Sequence, residues 1–130
     1  MKVSINRELV IREMFFSDLP RVIQIARESF TTPWSESSFY EELRNKYAHP
    51  KVAILKDNVV GYVFIRCLFS EAHLMDLAVD RPYRRRGIGG RLLIAAIEDA
   101  KKKSAEKIFL EVRRSNEAAI RLYTKYGFKV

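Results

Sequence analysis

The sequence predicts a mixed α/β fold, a hairpin-containing sheet with helices interspersed along the chain. Three observations carry that expectation. Two apolar runs flank Lys56-Asp57-Asn58 as a hairpin would. Stretches with helical spacing alternate with strand-like runs throughout. One strand-like run also passes through three closely spaced glycines directly into a helix pattern. At 130 residues without repeats or linkers, the chain reads as one domain, residues 1–130, large enough for a real core.

The elements follow in order. Leu9 to Met14 reads as a first strand. Ser17 suits a helix N-cap, and Leu19, Val22, Ile23, Ala26 and Phe30 follow at helical spacing. Phe30 to Ser35 is a loop with Pro33. A second helix is expected from Ser35, with Trp34 and Phe39 as its hydrophobic staple. Phe30, Trp34, Phe39 and Tyr40 form an aromatic group expected in the core, its loop bordering a groove. Val52 to Leu55 and Val59 to Cys67 form the hairpin, and His73 to Val79 the next strand. From Ile88, the positions Leu92, Leu93, Ala96, Ile97 and Ala100 repeat with helical period, and Lys101 to Lys103 sit where the helix dipole favours cations. Ile108 to Val112 reads as a short strand. Asn116 or Ser115 caps a last helix through Tyr126, and Gly127 suits the left-handed residue that ends it.

Composition narrows the function classes. Nearly half the residues are apolar and 31% are charged, which argues against disorder. Apolar stretches fall short of a membrane span, and the N-terminal segment lacks the apolar core of a signal peptide. One cysteine, Cys67, gives no internal disulfide and suits a reducing cytoplasm; it reads as a strand residue. Two histidines and one cysteine argue against structural zinc. The net charge of +8 raises a nucleic-acid partner, yet the excess concentrates between residues 81 and 114 around the glycines. A small polyanionic ligand accounts for that clustering with fewer assumptions, so nucleic acid is the weaker reading.

The run Arg84-Arg85-Arg86-Gly87-Ile88-Gly89-Gly90-Arg91 therefore carries the chemistry. A strand, a glycine turn and a helix start leave backbone N–H groups without intrahelical partners, and the dipole favours an anion there. An ordinary tight turn is the bland alternative. A P-loop needs Lys-Ser/Thr after its second glycine, and a dinucleotide fingerprint needs a third glycine where Leu92 stands. What remains is Arg-x-x-Gly-x-Gly/Ala, made by Arg84, Gly87 and Gly89.

With this spacing the chain resembles the GNAT superfamily of acetyl-CoA-dependent N-acetyltransferases. Other blocks agree: Ile11-Arg12 with Asp18-Leu19; Leu77-Ala78-Val79-Asp80 with Pro82 and Tyr83; and Glu111-Val112-Arg113, Ser115-Asn116, Ala119, Leu122-Tyr123 and Gly127-Phe128. Pro33-Trp34-Ser35 resembles the ribosomal-protein alanine N-acetyltransferase (RimI-like) branch and its protein N-terminal acetyltransferase relatives. The resemblance implies a mixed, mostly antiparallel central sheet flanked by about four helices. It implies acetyl-CoA as cosubstrate, the α-amino terminus of a protein as acceptor, and direct attack of the amine on the thioester. A small amine or lysine acceptor, or a CoA-binding module without turnover, are the alternatives.

The resemblance also assigns residues. Arg84, Arg85, Arg86, Gly87, Ile88, Gly89, Gly90 and Arg91 would hold the CoA pyrophosphate. Leu77, Ala78 and Val79 would pair with pantetheine amides as an added strand, and a strand bulge would free an N–H for the oxyanion. Asn116 and Tyr123 would also contact the cofactor. Glu111 would be the general base, against the plain reading of a surface carboxylate paired with Arg or Lys. Tyr123 would be the general acid, against that of a core aromatic. An α-amino group, with a pKa of about 7.7–8.0, needs only a modest base. For His73 a non-catalytic strand-end role is expected. The family pattern continues past Phe128 with further strand, so a C-terminally truncated sheet is expected. Its Glu111 strand would then present an open edge that a homodimer could complete.

Overall fold

The computed structural model describes residues 8–129. Its sheet has the strands β1 (Val10–Glu13), β2 (Lys51–Leu55), β3 (Asn58–Leu68), β4 (Glu71–Val79) and β5 (Lys107–Leu110), side by side in chain order. The first four pair antiparallel and β4–β5 is parallel. The helices are α1 (Leu19–Ser29), α2 (Glu36–Arg44), α3 (Ile88–Lys102) and α4 (Glu117–Lys125). This is the mixed, mostly antiparallel sheet with four helices that the sequence predicts.

Strand alternation divides the core into two layers. Tyr62 and Phe64 of β3 point into the layer shared with Leu19, Val22 and Phe39 from α1 and α2. Val63 and Ile65 point the other way, onto Leu92, Leu93 and Ala96 of α3. β3 is therefore buried on both faces, which explains its nearly unbroken apolar run.

Local chemistry sets the boundaries, some differently from the sequence expectation. The β2–β3 turn is two residues long. Lys56 (φ 52°) and Asp57 (φ 66°) are both left-handed, a type I′ geometry, and Asn58 begins β3. A second two-residue turn, Phe69-Ser70, joins β3 to β4, so β4 starts at Glu71 rather than His73. Phe69 holds a φ of 55° without being Gly or Asn, so the turn left no compositional mark. Ser17 does not cap α1. It sits in a single 3-10 turn, Phe16–Asp18, and Asp18 is the N-cap. Pro20 in the first turn of α1 has no N–H for a cap to bind. Asp18 instead accepts two bonds from Arg12 (2.8 and 2.9 Å) and one from the Phe15 N–H (2.7 Å). Burial alone would raise the Asp18 carboxyl, but these bonds outweigh it and hold it below the ordinary range.

Ser35 caps α2 as expected, accepting from the Ser38 N–H, and Trp34 meets Phe39 with ring centroids 5.1 Å apart. α2 is locked to β3 by Arg66, which donates to both oxygens of the buried Glu42 at 2.7 and 2.5 Å. Truncating Arg66 to Ala leaves that carboxylate buried and unpaired. Thermal denaturation should show a loss of about 2 kcal/mol.

The site originates in how β4 and β5 part. Their pairing covers only Glu71–Leu74 against Lys107–Leu110. From Met75 to Val79, β4 continues with a strand partner on the β3 side alone. At the point of divergence Phe64 faces Asp76 while Ile65 faces Leu74, so Met75 is the extra residue of a bulge.

Candidate active site

The opening between β4 and β5 is a cleft of about 1060 Å³. Its walls are the outer side of β4, the loop and first turn of α3, α4, the segment after β5, and the 29–34 loop.

The α3 end of the cleft is made of backbone. Arg85 (φ 64°) and Gly87 (φ 81°) are left-handed, and Gly87 is the N-cap of a 15-residue helix with no capping side chain and no acid in its first turn. The N–H groups of Ile88, Gly89 and Gly90 therefore lack intrahelical acceptors beside the cleft, where the dipole favours an anion. The glycines are needed for two different reasons. A Cβ on Gly87 would meet nothing within 4 Å, so its conformation is what demands glycine. A Cβ on Gly89 would lie 3.3 Å from Leu122 Cδ2, and one on Gly90 would strike the Tyr126 hydroxyl, so these two let α4 pack close.

The arginines do not act alike. Arg84 and Arg85 line the cleft. The Arg84 guanidinium is committed to protein, donating to the Val79 carbonyl (2.9 Å) and to Ser29 Oγ (3.0 Å), which straps the loop to β4 and α1. Arg86 lies over the Tyr83 ring, its guanidinium carbon 5.5 Å from the centroid. Arg91 corrects the sequence reading: its N–H already bonds the Gly87 carbonyl. Its side chain borders a separate shallow groove beside the Lys51–Asp99 ion pair.

The β4 wall is refined in the same way. The Asp80 N–H bonds the Val60 carbonyl at 2.8 Å, which sets the parity of the strand. Asp76, Ala78 and Asp80 then address β3, while Leu77 and Val79 turn their amides to the cleft. Ala78 was expected to pair with a ligand through its backbone, but its backbone is engaged with β3 opposite Tyr62. A close ion pair between Arg21 and the buried Asp80, with Arg21 Nε also on the Val59 carbonyl, fixes this end of β4 to α1.

On the far wall, Asn116 caps α4, its Oδ1 accepting from the Ala119 N–H at 3.2 Å, and it borders the cleft. Tyr123 projects from α4 into the cleft and packs edge-on to Phe128 at 5.8 Å. Burial first, and the charge of Asp76 second, push its phenol up to about 12, so it stays protonated at neutral pH. Its hydroxyl has no hydrogen-bond partner among the described residues. Glu111 lines the cleft and is exposed. β5 ends at Leu110, so Glu111 stands just past the strand that was expected to carry it. Arg113 crosses the cleft mouth to Thr32 Oγ1 at 2.6 Å. Phe30, Pro33 and Trp34, from the loop expected to border a groove, line the mouth.

Two residues lie apart from this site. His73 stacks on Phe109 (5.4 Å, 25°) at the paired end of β4 and does not border the cleft. Cys67 is buried in the α3-side core, and burial raises its thiol. Asp76 is a cleft residue that escaped the sequence reading. Asp76 donates nothing to the periodicity of its strand and carries no motif. Yet burial pushes its carboxyl up to about 6, against bonds from the Tyr62 hydroxyl (2.8 Å) and the Leu77 N–H that pull it down.

A profile described as the acetyltransferase (GNAT) family matches residues 19–128. A ribosomal protein bS18-alanine N-acetyltransferase of Salmonella typhimurium is 35% identical over 112 residues, covering 86% of this chain and 75% of the relative. An N-alpha-acetyltransferase of Sulfurisphaera tokodaii is 35% identical over 137 residues, covering 95% and 82%. Among solved structures, the PaiA N-acetyltransferase of Thermoplasma acidophilum in complex with coenzyme A superimposes with a TM-score of 0.86. It is 25% identical, with 95% of this chain and 91% of that chain covered.

Proposed function

The chain belongs to the acetyltransferase (GNAT) family and is an acetyl-CoA-dependent N-acetyltransferase; from that premise we propose that its acceptor is the α-amino terminus of a protein, a ribosomal protein among the candidates. The observation that carries this reading is the cleft itself. A row of free helix N–H groups and an unpaired strand edge lead to a mouth bordered by Phe30, Pro33 and Trp34, where an extended peptide end can enter. The amide row suits the cosubstrate's pyrophosphate, and the Leu77 carbonyl and Val79 N–H suit its pantetheine amides, the Val79 carbonyl being taken by Arg84.

In this reading the amine nitrogen attacks the thioester carbonyl carbon, the C–N bond forms, and the C–S bond breaks with its electron pair on sulfur. Tyr123 protonates the departing thiolate, whose thiol has a pKa of about 8.5, and recovers a proton from water. Glu111, exposed beside the cleft, accepts a proton from nitrogen through water and returns it to solvent. The reaction belongs in the cytoplasm on this account. A second copy pairing along β5, whose ladder among the described residues runs only to β4, is its expected oligomer.

The test is thiol release with peptides differing in their first residues, alongside free lysine and polyamines. Turnover confined to peptides with free N-termini is expected, and turnover with lysine or polyamines alone would overturn the acceptor assignment. Glu111→Gln should lower kcat about tenfold near pH 6 and less at pH 8, leaving the acetyl-CoA Kd unchanged. An unaltered pH profile would remove Glu111 from the reaction. Light scattering decides the dimer, and a monomer with full turnover would refute it.

A further inference from the structure

The geometry points to Asp76 as the residue that receives the acceptor's ammonium group in the cleft and takes its proton, an assignment that rests on the N-acetyltransferase reading above. Asp76 sits where β4 leaves β5. Met75 bulges out beside it, and the cleft reaches its side chain. The fully buried Tyr62 donates its hydroxyl to Asp76 Oδ2 at 2.8 Å, orienting the carboxylate from below.

The surroundings suit a cation. From α4, Tyr123 faces Asp76 with its neutral phenol, and from β3 comes the Tyr62 hydroxyl. The 29–34 loop brings no ionisable side chain. The charged groups elsewhere on the cleft are Glu111 and Arg113 after β5, Arg84 and Arg85 on the loop, and Arg121 and Lys125 on α4. Arg84 is bound to the Val79 carbonyl and Ser29, and Arg113 to Thr32. No salt bridge to Asp76 forms among the described residues, so its half-buried carboxylate has no cationic partner there. Such a carboxylate is costly unless a cation arrives. The chemistry that completes it is an ammonium, and the entering peptide terminus carries one.

The proton balance is direct. The ammonium gives one proton to Asp76 Oδ, and the freed lone pair attacks the thioester carbon. The nitrogen loses its second proton through water to Glu111 after the C–N bond forms. Sulfur leaves with the C–S electron pair and takes the Tyr123 proton. Both carboxylates return their protons to water and Tyr123 recovers one, for a net release of one proton. Burial, partly offset by Tyr62 and the Leu77 N–H, holds the Asp76 carboxyl at about 6. That is high enough to accept from an α-ammonium and low enough to be ionised at neutral pH.

The prediction concerns where the acid limb of kcat/KM lies. With Asp76 ionised, the enzyme takes the ammonium form, and the limb falls near pH 6. Asp76→Asn can use only the neutral amine, so the limb moves to the amine's own pKa of about 8. The loss is then about tenfold at pH 7 and slight at pH 9, with an unchanged acetyl-CoA Kd. Tyr62→Phe removes a bond that lowers the Asp76 pKa, so its limb should shift upward from the wild-type position. A raised carboxyl pKa means that ionised Asp76 costs fold stability at neutral pH, a cost relieved as pH falls through about 6. Asp76→Asn should therefore melt no lower than wild type at pH 7.5.

The decisive result against the proposal is a wild-type limb already at the peptide's amine pKa and unmoved by either substitution. If Asp76→Asn fails to fold, the Tyr62→Phe shift decides alone. Failure of the underlying reading looks different: wild-type enzyme then releases no thiol with any amine in the panel.

Discussion

Gly87→Val is expected to weaken acetyl-CoA binding by about 100-fold or more in a calorimetric titration, with the fold retained. The reason is conformational. Gly87 holds a φ of 81° while its carbonyl accepts the Arg91 N–H, so it both starts α3 and aims the next three amides. A β-branched residue resists that region, and moving φ out of it swings the Ile88, Gly89 and Gly90 N–H groups away from the phosphates. Two charge-assisted hydrogen bonds at about 1.5 kcal/mol each account for a factor of about 100. The structure sharpens the test, because a Cβ at this position meets nothing within 4 Å. Gly87→Asn, which tolerates the left-handed region, should keep the Kd within about fivefold of wild type. Equal losses for Asn and Val would mean that side-chain bulk, and not backbone conformation, is what the loop excludes. A normal Kd for the Val variant would refute the loop as the phosphate grip.

Tyr123→Phe should lower kcat by about 30–100-fold with the acetyl-CoA Kd within a factor of two. The ring packs on Phe128 and lines the cleft, and Phe keeps both contacts, so only the proton donor is lost. General acids are worth about 100-fold or more. The lower end applies because a thiolate whose thiol has a pKa of about 8.5 leaves tolerably well unaided. The tyrosine's own pKa of about 12 means that wild type keeps its donor across the working range. The fractional loss should therefore be the same at pH 7 and pH 9, unlike that of Asp76→Asn. Single-turnover measurement separates this chemical step from product release. A kcat unchanged by the substitution would return Tyr123 to a packing role.

The contrast between those two variants marks what could be read along the chain. The phosphate grip is local in sequence. Strand, left-handed turn and helix start lie within about a dozen residues, and glycine spacing reports them directly. The same holds for the Ser35 cap, the Trp34–Phe39 staple and the helical period of α3. Where local chemistry is ambiguous the boundaries moved: the Phe69-Ser70 turn carries no turn residue at its left-handed position, and Pro20 displaced the cap from Ser17 to Asp18.

By itself, then, the sequence determined the order of elements and the loop that names the cosubstrate, because periodicity and backbone preference act over neighbouring residues; that β3 is buried on both faces came from the two packed layers. Tertiary structure alone decided which carboxylate of the cleft is desolvated. Asp76 is an acid in the middle of a largely apolar strand until Tyr62, fourteen positions away, donates to it. It also decided that the four-residue parallel pairing of β4 and β5 ends at Leu74, which opens the cleft. Desolvation and strand divergence are properties of distant segments brought together, and neither leaves a periodic trace in the chain.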